Sequence, residues 1–338
     1  MDGGVSDVRA ARWMRNDKTV DANGFWCGRQ YVTEHEKGFR WRATTTSGGG
    51  RYGAIKFKYD PSQPTTALAP EEDARECNQF ARLPDARAIL ISFPITLPGA
   101  SSRLLHSYLR SRPESSLQSV QFLDVIQLGS SGIFLSPQDG PTQASGEGKR
   151  QEKTVWIDRH SAYDTENARA RSEDELLVEN MRGEEEGVRF RTTVLNLAGL
   201  WGGTRSMRNY VERVVGTKAV LREKTSLHMI HGLDVARAIL AVLRRFGSDA
   251  AGQRWLLSDM RVYDWWDLAA AWGQAGLVDP IPDHPIGPQA HWVNQLLQEH
   301  NIRALPRPPE ALGRAIDSRE FWRTFQLSPV RARLEHFS

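Results

Sequence analysis

Alternation and apolar runs divide this chain into predicted elements. Phe39, Trp41 and Ala43 alternate with Arg40 and Arg42, which predicts a half-buried strand running into Thr44-Thr45-Thr46-Ser47 and the Gly48-Gly49-Gly50 turn. Ile55, Phe57 and Tyr59 alternate again before Asp60-Pro61, a second strand. The mixture from Glu71 to Leu83 suits a helix, and residues 100–112 suit another. Ala88 to Phe93 is a near-continuous apolar run, the pattern of a parallel strand covered on both faces. Val125–Leu128, Thr193–Ala198 and Trp255–Ser258 read the same way. Further helices are predicted over about Thr165–Glu179, 206–223 and 233–246.

Between these elements lie an apolar-poor insert at 136–153, read as a mobile surface loop, and a charged insert at 182–187. Residues 1–20 show no usable periodicity and are expected to be a disordered tail. Strands alternating with helices predict a doubly wound, mostly parallel α/β sheet. The expected organisation is a nucleotide-binding domain over 21–260 and a small, mainly helical, Trp-rich lobe over 261–338, broken by the Pro-rich segment 280–288. No internal repeat is visible.

Composition narrows the function classes. Hydrophobic content of 40% and charged content of 25% are ordinary for a globular protein, and a net charge of +3 without a basic stripe gives no argument for nucleic acid. Cys27 and Cys77 are the only cysteines, so neither a disulfide framework nor a cysteine zinc site is supported. No apolar run reaches the roughly 18 residues that span a bilayer. Arg9, Arg12 and Arg15 near the N-terminus are interspersed with Asp2, Asp7 and Asp17, unlike a transit or secretory leader. A cytoplasmic protein with no membrane or nucleic-acid partner is expected.

The stretch VIQLGSSGIF (Val125–Phe134), read with the polar loop and helix of Asp158–Leu177, resembles the extended branch of the short-chain dehydrogenase/reductase superfamily, in its atypical epimerase-like subgroup found in fungi, plants and bacteria. Phe39–Ser47 looks like that family's second strand and Ile89–Pro94 like its fourth. Asn196–Gly202 is similar to its "LRxGxxYGP" turn, Ile230–Ala236 to its "IHVDDVA" helix start, and Asp259 follows the last strand as in "NVxDD". These ordered landmarks span roughly residues 36–260 and imply a Rossmann-like fold. They also imply an NAD(P) cofactor, a small-molecule substrate and a homodimer of the kind common in the family.

The resemblance implies a set of site residues. Ser130 and Ser131 stand at the strand-end hydroxyl position that orients a substrate oxygen; a self-satisfied Ser-Ser-Gly turn is the other reading. The family's Tyr-x-x-x-Lys pair is replaced by Asn167 and Arg171. Asparagine can hydrogen-bond a carbonyl but is no proton donor–acceptor near neutral pH, and Arg171 can hold ribose or phosphate but cannot be deprotonated. Tyr163, in the loop before that helix, is the substitute acid/base candidate, against a loop tyrosine packed by its ring. The one literal match, Tyr52 to Lys56, lies in a strand segment away from this motif and is taken as coincidence.

For the cofactor, Gly24 and Phe25 match part of a glycine loop, with Ala22 and Cys27 where glycines belong; a degraded N-terminal segment or a mispredicted gene start fits equally. Thr46 and Ser47 end the second strand with Arg51 beyond and no acid before Asp60, which favours NADP over NAD, unless this is a plain polar turn. Phe93 and Pro94 complete the cofactor set, and Arg205 and Arg208 are placed on the substrate side, with a solvated helix face as the other reading. His231 and Asp234 are read as helix capping and packing, and His228 with His231 lacks a third ligand, so no metal is expected. Tyr263–Asp267 and Phe321-Trp322 are read as the core of that lobe and its packing on the sheet, with a partner surface as the other reading. The function expected is an NAD(P)-dependent oxidoreductase or epimerase-like protein. The alternative is a Rossmann-fold nucleotide-binding or scaffold protein that has lost proton transfer.

Overall fold

The computed structural model describes residues 8–13, 39–49, 53–60, 79–118, 120–134, 156–181, 187–202, 211, 214–272 and 288–331. Seven strands form one parallel sheet: β1 (Val8–Trp13), β2 (Phe39–Thr45), β3 (Ile55–Lys56), β4 (Ala88–Ile91), β5 (Phe122–Ser130), β7 (Arg189–Leu197) and β11 (Gln253–Leu257). Their order across the sheet is β11-β7-β5-β4-β1-β2-β3, all neighbours parallel. Three short pairs lie outside it. They join β6 (Trp156–Ile157) to β13 (Ala315–Ile316), β8 (Gly199–Trp201) to β10 (Met229–His231), and β9 (Ser226–Leu227) to β12 (Tyr263–Asp264).

The apolar runs are strands because both faces of the sheet are covered. Ala88–Ile91 is buried at all four positions. Ile89, Ile91, Leu123, Val125, Phe190 and Val194 point to one face, against α1 (Ala100–Arg110) and α3 (Ala168–Val178). A short α2 (Glu114–Leu117) follows α1. Leu90, Ile126, Leu195 and Leu197 alternate to the other face, against α5 (Gly232–Arg244) and α8 (Arg319–Thr324). That period-two division makes the sheet doubly wound, as the pattern predicts.

A third core is helical. α4 (Lys218–Arg222), α6 (Trp265–Trp272) and α7 (Gln289–Glu299) pack through Leu221, Trp265, Trp266, Val293 and Leu296. Asp264 anchors it: both carboxylate oxygens accept from the Arg307 guanidinium, which also lies 3.9 Å from the Trp266 ring centroid. The tryptophans of this segment are therefore core.

Several boundaries differ from the sequence reading. Val8–Trp13, inside the expected tail, is a strand between β2 and β4; its two arginines mask an apolar run. Pairing stops at Lys56, although Phe57 is buried against Phe80 and its N–H donates to the Thr45 carbonyl. The fourth strand ends at Ile91 rather than Phe93. Phe321 and Trp322 pack on the sheet, where the Trp322 indole donates to the Ser258 carbonyl. Among the described residues no helix is long and apolar enough to cross a membrane.

Candidate functional site

Strand order reverses between β1 and β4, and β5 delivers its hydroxyls at the carboxyl end, where open α/β sheets bind ligands. The Ser130 hydroxyl oxygen accepts the Gly132 N–H at 3.1 Å, an interaction that uses a lone pair and leaves the O–H as a donor. Ser131 is buried and opens a single 3-10 turn, Ser131–Phe134. Its carbonyl accepts from Arg314 at 3.4 Å, so the C-terminal segment reaches back to this turn.

Behind the turn lies a buried polar network. The Glu173 Oε1 accepts the Ser130 N–H at 3.3 Å, and the Asn196 amide donates to the Ser130 carbonyl at 3.2 Å and to Glu173 Oε2 at 2.8 Å. Arg254 donates to Glu173, to Asn196 Oδ1 at 3.2 Å and to Asp174 at 2.6 Å. Burial pushes the Glu173 carboxyl above its ordinary range, while the Arg254 charge and the bonds from Asn196, Arg254 and the Ser130 amide pull it down. Gly129 is required here: a Cβ would sit 2.3 Å from Glu173 Oε1 and 2.5 Å from Asn196 Nδ2.

Tyr163 joins this network from its far end. Its O–H donates to Asp174 at 2.8 Å, its ring meets Phe134 edge-on at 5.9 Å, and the Arg254 guanidinium lies 4.6 Å from the ring centroid. Burial and the bond to Asp174 raise its pKa, the wrong direction for proton transfer near neutral pH. Asn167 is the N-cap of α3, its side chain accepting the Arg169 N–H at 3.0 Å. It stands one residue before the helix, whose start is Ala168 rather than about Thr165. Arg171 is half exposed and pairs with Glu166, a surface contact worth little.

On the cofactor side, the Thr45 hydroxyl accepts the Gly48 N–H at 2.9 Å, and Gly48 has a left-handed φ of 71°. Thr46 and Ser47 form the turn that follows β2. Lys56, dismissed in the sequence as half of a coincidental motif, pairs in register with Thr45; its Cβ is 2.8 Å from where a Gly48 Cβ would stand. From Phe39 to Tyr59 there are five basic residues and no acid. Phe93, 6.2 Å from the Tyr59 ring, and Pro94 follow β4. Gly24, Phe25, Arg51, Arg205 and Arg208 lie outside the described residues.

Beyond the carboxyl ends sit four buried titratable groups: His228, His231, Asp234 and Asp259. His228 Nε2 accepts the Ile316 N–H at 3.1 Å, and burial, with the Arg314 charge, pushes its pKa down to about 3. His231 itself caps α5, Nδ1 accepting the Leu233 N–H at 3.0 Å, and its Nε2 fills the space beside Gly202. Asp234, buried in the first turn of α5, accepts the Val330 and Arg331 N–H groups, each at 3.0 Å. Asp259 accepts from the Tyr263 O–H at 2.6 Å, and burial pushes its pKa up to about 7. No group of three or more His, Cys, Asp or Glu side chains able to hold a metal occurs among the described residues.

These features define a doubly wound, Rossmann-like α/β fold. Among solved structures, the chain is similar to vestitone reductase from alfalfa (TM-score 0.52, 14% identity, covering 96% of this chain and 94% of that one). It is similar to yeast methylglyoxal/isovaleraldehyde reductase complexed with NADPH (0.51, 13%, 96% and 93%). An epimerase from the methanogen Methanothermobacter thermautotrophicus aligns over 97% of this chain and 90% of its own (0.50, 13%). No protein-family model and no curated protein sequence matches the chain.

Proposed function

We propose that this chain is an NAD(P)-dependent oxidoreductase or epimerase-like protein acting on a small molecule, with NADP preferred. The observation that carries the reading is the reversal of strand order between β1 and β4, with the Ser130 hydroxyl presented two strands away at the same end of the sheet. The residues present fit a dinucleotide. The acid-free, basic end of β2, with Lys56 paired beside it, suits a 2′-phosphate, and Phe93 and Pro94 follow β4. A nicotinamide bound there supplies or accepts hydride. Ser130 donates to the substrate oxygen and orients it. A cytoplasmic location accompanies this reading, and so does a homodimer, which light scattering tests. Titration of the purified chain with NADPH and NADH is the decisive experiment, because binding of neither removes the proposal.

A second reading is favoured by specific contacts: a nucleotide binder without turnover. The Tyr163 O–H is engaged as a donor to Asp174, and Asn167 is engaged as a helix cap, so neither stands ready to move a proton. NADPH binding with no turnover across aldehydes, ketones and nucleotide sugars would select it.

A further inference from the structure

We propose that Arg254 is the positioning residue of this site, a buried guanidinium that sets the Ser130 turn and the Tyr163 phenol together. The inference rests on the reading of Ser130 as the group that orients substrate.

The geometry is a clamp. Both backbone groups of Ser130 are held by side chains rather than only by the sheet: Glu173 accepts its N–H and Asn196 donates to its carbonyl. Neither holder stands alone, because Arg254 donates to Glu173 through Nη1 and to the Asn196 carbonyl oxygen through the same nitrogen. The Asn196 amide is thereby oriented, its oxygen toward Arg254 and its nitrogen toward Ser130 and Glu173. The other Arg254 nitrogen, Nη2, holds Asp174, which receives the Tyr163 O–H. Arginine suits this task because its planar fork is permanently charged and directs donors along fixed lines. Glu173 is 1% exposed, Asn196 0% and Arg254 9%, so water cannot replace a lost partner without the turn moving. In the sheet, Arg254 is paired with Val194, two residues before Asn196, and its side chain runs along the strands to the carboxyl end. The hydroxyl turn is thus fixed from a position well behind the site.

The test uses the full chain, with Arg254→Met, Arg254→Lys and Glu173→Gln, the last retaining an acceptor for the Ser130 amide while weakening the tie to Arg254. Amide exchange over residues 129–132 is expected to accelerate at least tenfold in Arg254→Met and Glu173→Gln, with partial recovery in Arg254→Lys. NADPH affinity should stay within twofold. Where wild type reduces a carbonyl compound, kcat should fall at least tenfold at unchanged KM, and Ser130→Ala added to Arg254→Met should cost nothing further. If Arg254→Met does not fold, Glu173→Gln carries the same comparison. Unchanged exchange at 129–132 in a folded variant overturns the proposal, as does a full additional loss from Ser130→Ala. Absence of NADPH binding by wild type overturns the cofactor reading instead, and the exchange result still decides the clamp.

Discussion

Gly129→Ala gives the sharpest check on the packing behind the site. The new methyl would meet Glu173 Oε1 at 2.3 Å and Asn196 Nδ2 at 2.5 Å, both below the 3.0 Å that Cβ contacts essentially never breach. The cost is steric rather than conformational, since Gly129 is not among the glycines with positive φ. Glu173 must withdraw, and in doing so it loosens its bonds to the Ser130 amide, Asn196 and Arg254. Breaking a buried ion pair costs about 3–5 kcal/mol, and each buried polar group left unmatched about 1–3 kcal/mol. Because β5 can relax to share the displacement, a net loss of about 3–5 kcal/mol is expected. With a urea m-value near 3 kcal/mol/M, the midpoint should fall by roughly 1 M or more at unchanged m. Gly216→Ala is the control, since a Cβ there meets nothing within 4 Å. If Gly129→Ala unfolds within about 0.5 kcal/mol of wild type, the ordinary range for an unconstrained surface change, the close approach of Glu173 to β5 is refuted.

Two buried groups should give opposite pH dependences. His228 is held neutral, its pKa moving from 6.5 to about 3, so its contribution is present above 6.5 and lost as pH falls toward 3; Asp259 moves from 3.8 to about 7, so its contribution is present below 3.8 and lost as pH rises through 7. Each slope approaches about 1.4 kcal/mol per pH unit between its two pKa values, and they oppose each other near pH 5. His228→Gln should therefore tilt urea-derived stability downward with rising pH relative to wild type, and Asp259→Asn should tilt it upward; parallel curves would rule this out. Lys56→Ala should weaken NADPH binding about five- to thirtyfold, a loss of about 1–2 kcal/mol, while NADH affinity stays the same; an equal change in both would remove the 2′-phosphate assignment. Arg307→Ala leaves the Asp264 carboxylate buried without its guanidinium, held only by the Trp266 and Arg307 backbone N–H groups, and should cost about 3–5 kcal/mol, read as an early loss of tryptophan signal from the helical lobe.

What the sequence showed followed from burial. Ala88–Ile91, Val125–Leu128, Thr193–Leu197 and Trp255–Leu257 are legible because strands covered on both faces must be apolar throughout. Val8–Trp13 was not, because two arginines in six residues look like a polar tail. The paired segments β6 and β13 are two residues long and carry no periodic signal. In the site, Ser130 was legible from its place after a buried strand. Glu173 and Arg254 were not: each reads as a surface charge in its own segment, and only the approach of α3 to β7 and β11 makes them partners. Asn167 was placed inside the helix by resemblance, whereas its short amide competes for the backbone and starts the helix one residue later. The Asn at that position and the acidic pair Glu173-Asp174 were the available signals.

The strand order has a consequence for synthesis. Once β1, β2 and β3 are side by side, the later members of the sheet, β4, β5, β7 and β11, join one edge in the order in which they leave the ribosome. Each newly emerged strand meets an open edge already waiting for it, and none has to be threaded between two earlier ones after β4 has docked. The last edge is closed late. The Trp255 ring on β11 meets Arg159 on one side and Phe321 and Phe325 edge-on, so its aromatic cover forms only after residue 325 has emerged. A nascent chain halted near residue 300 would thus hold a largely assembled sheet with one sticky, aromatic flank, the form in which it most needs a chaperone.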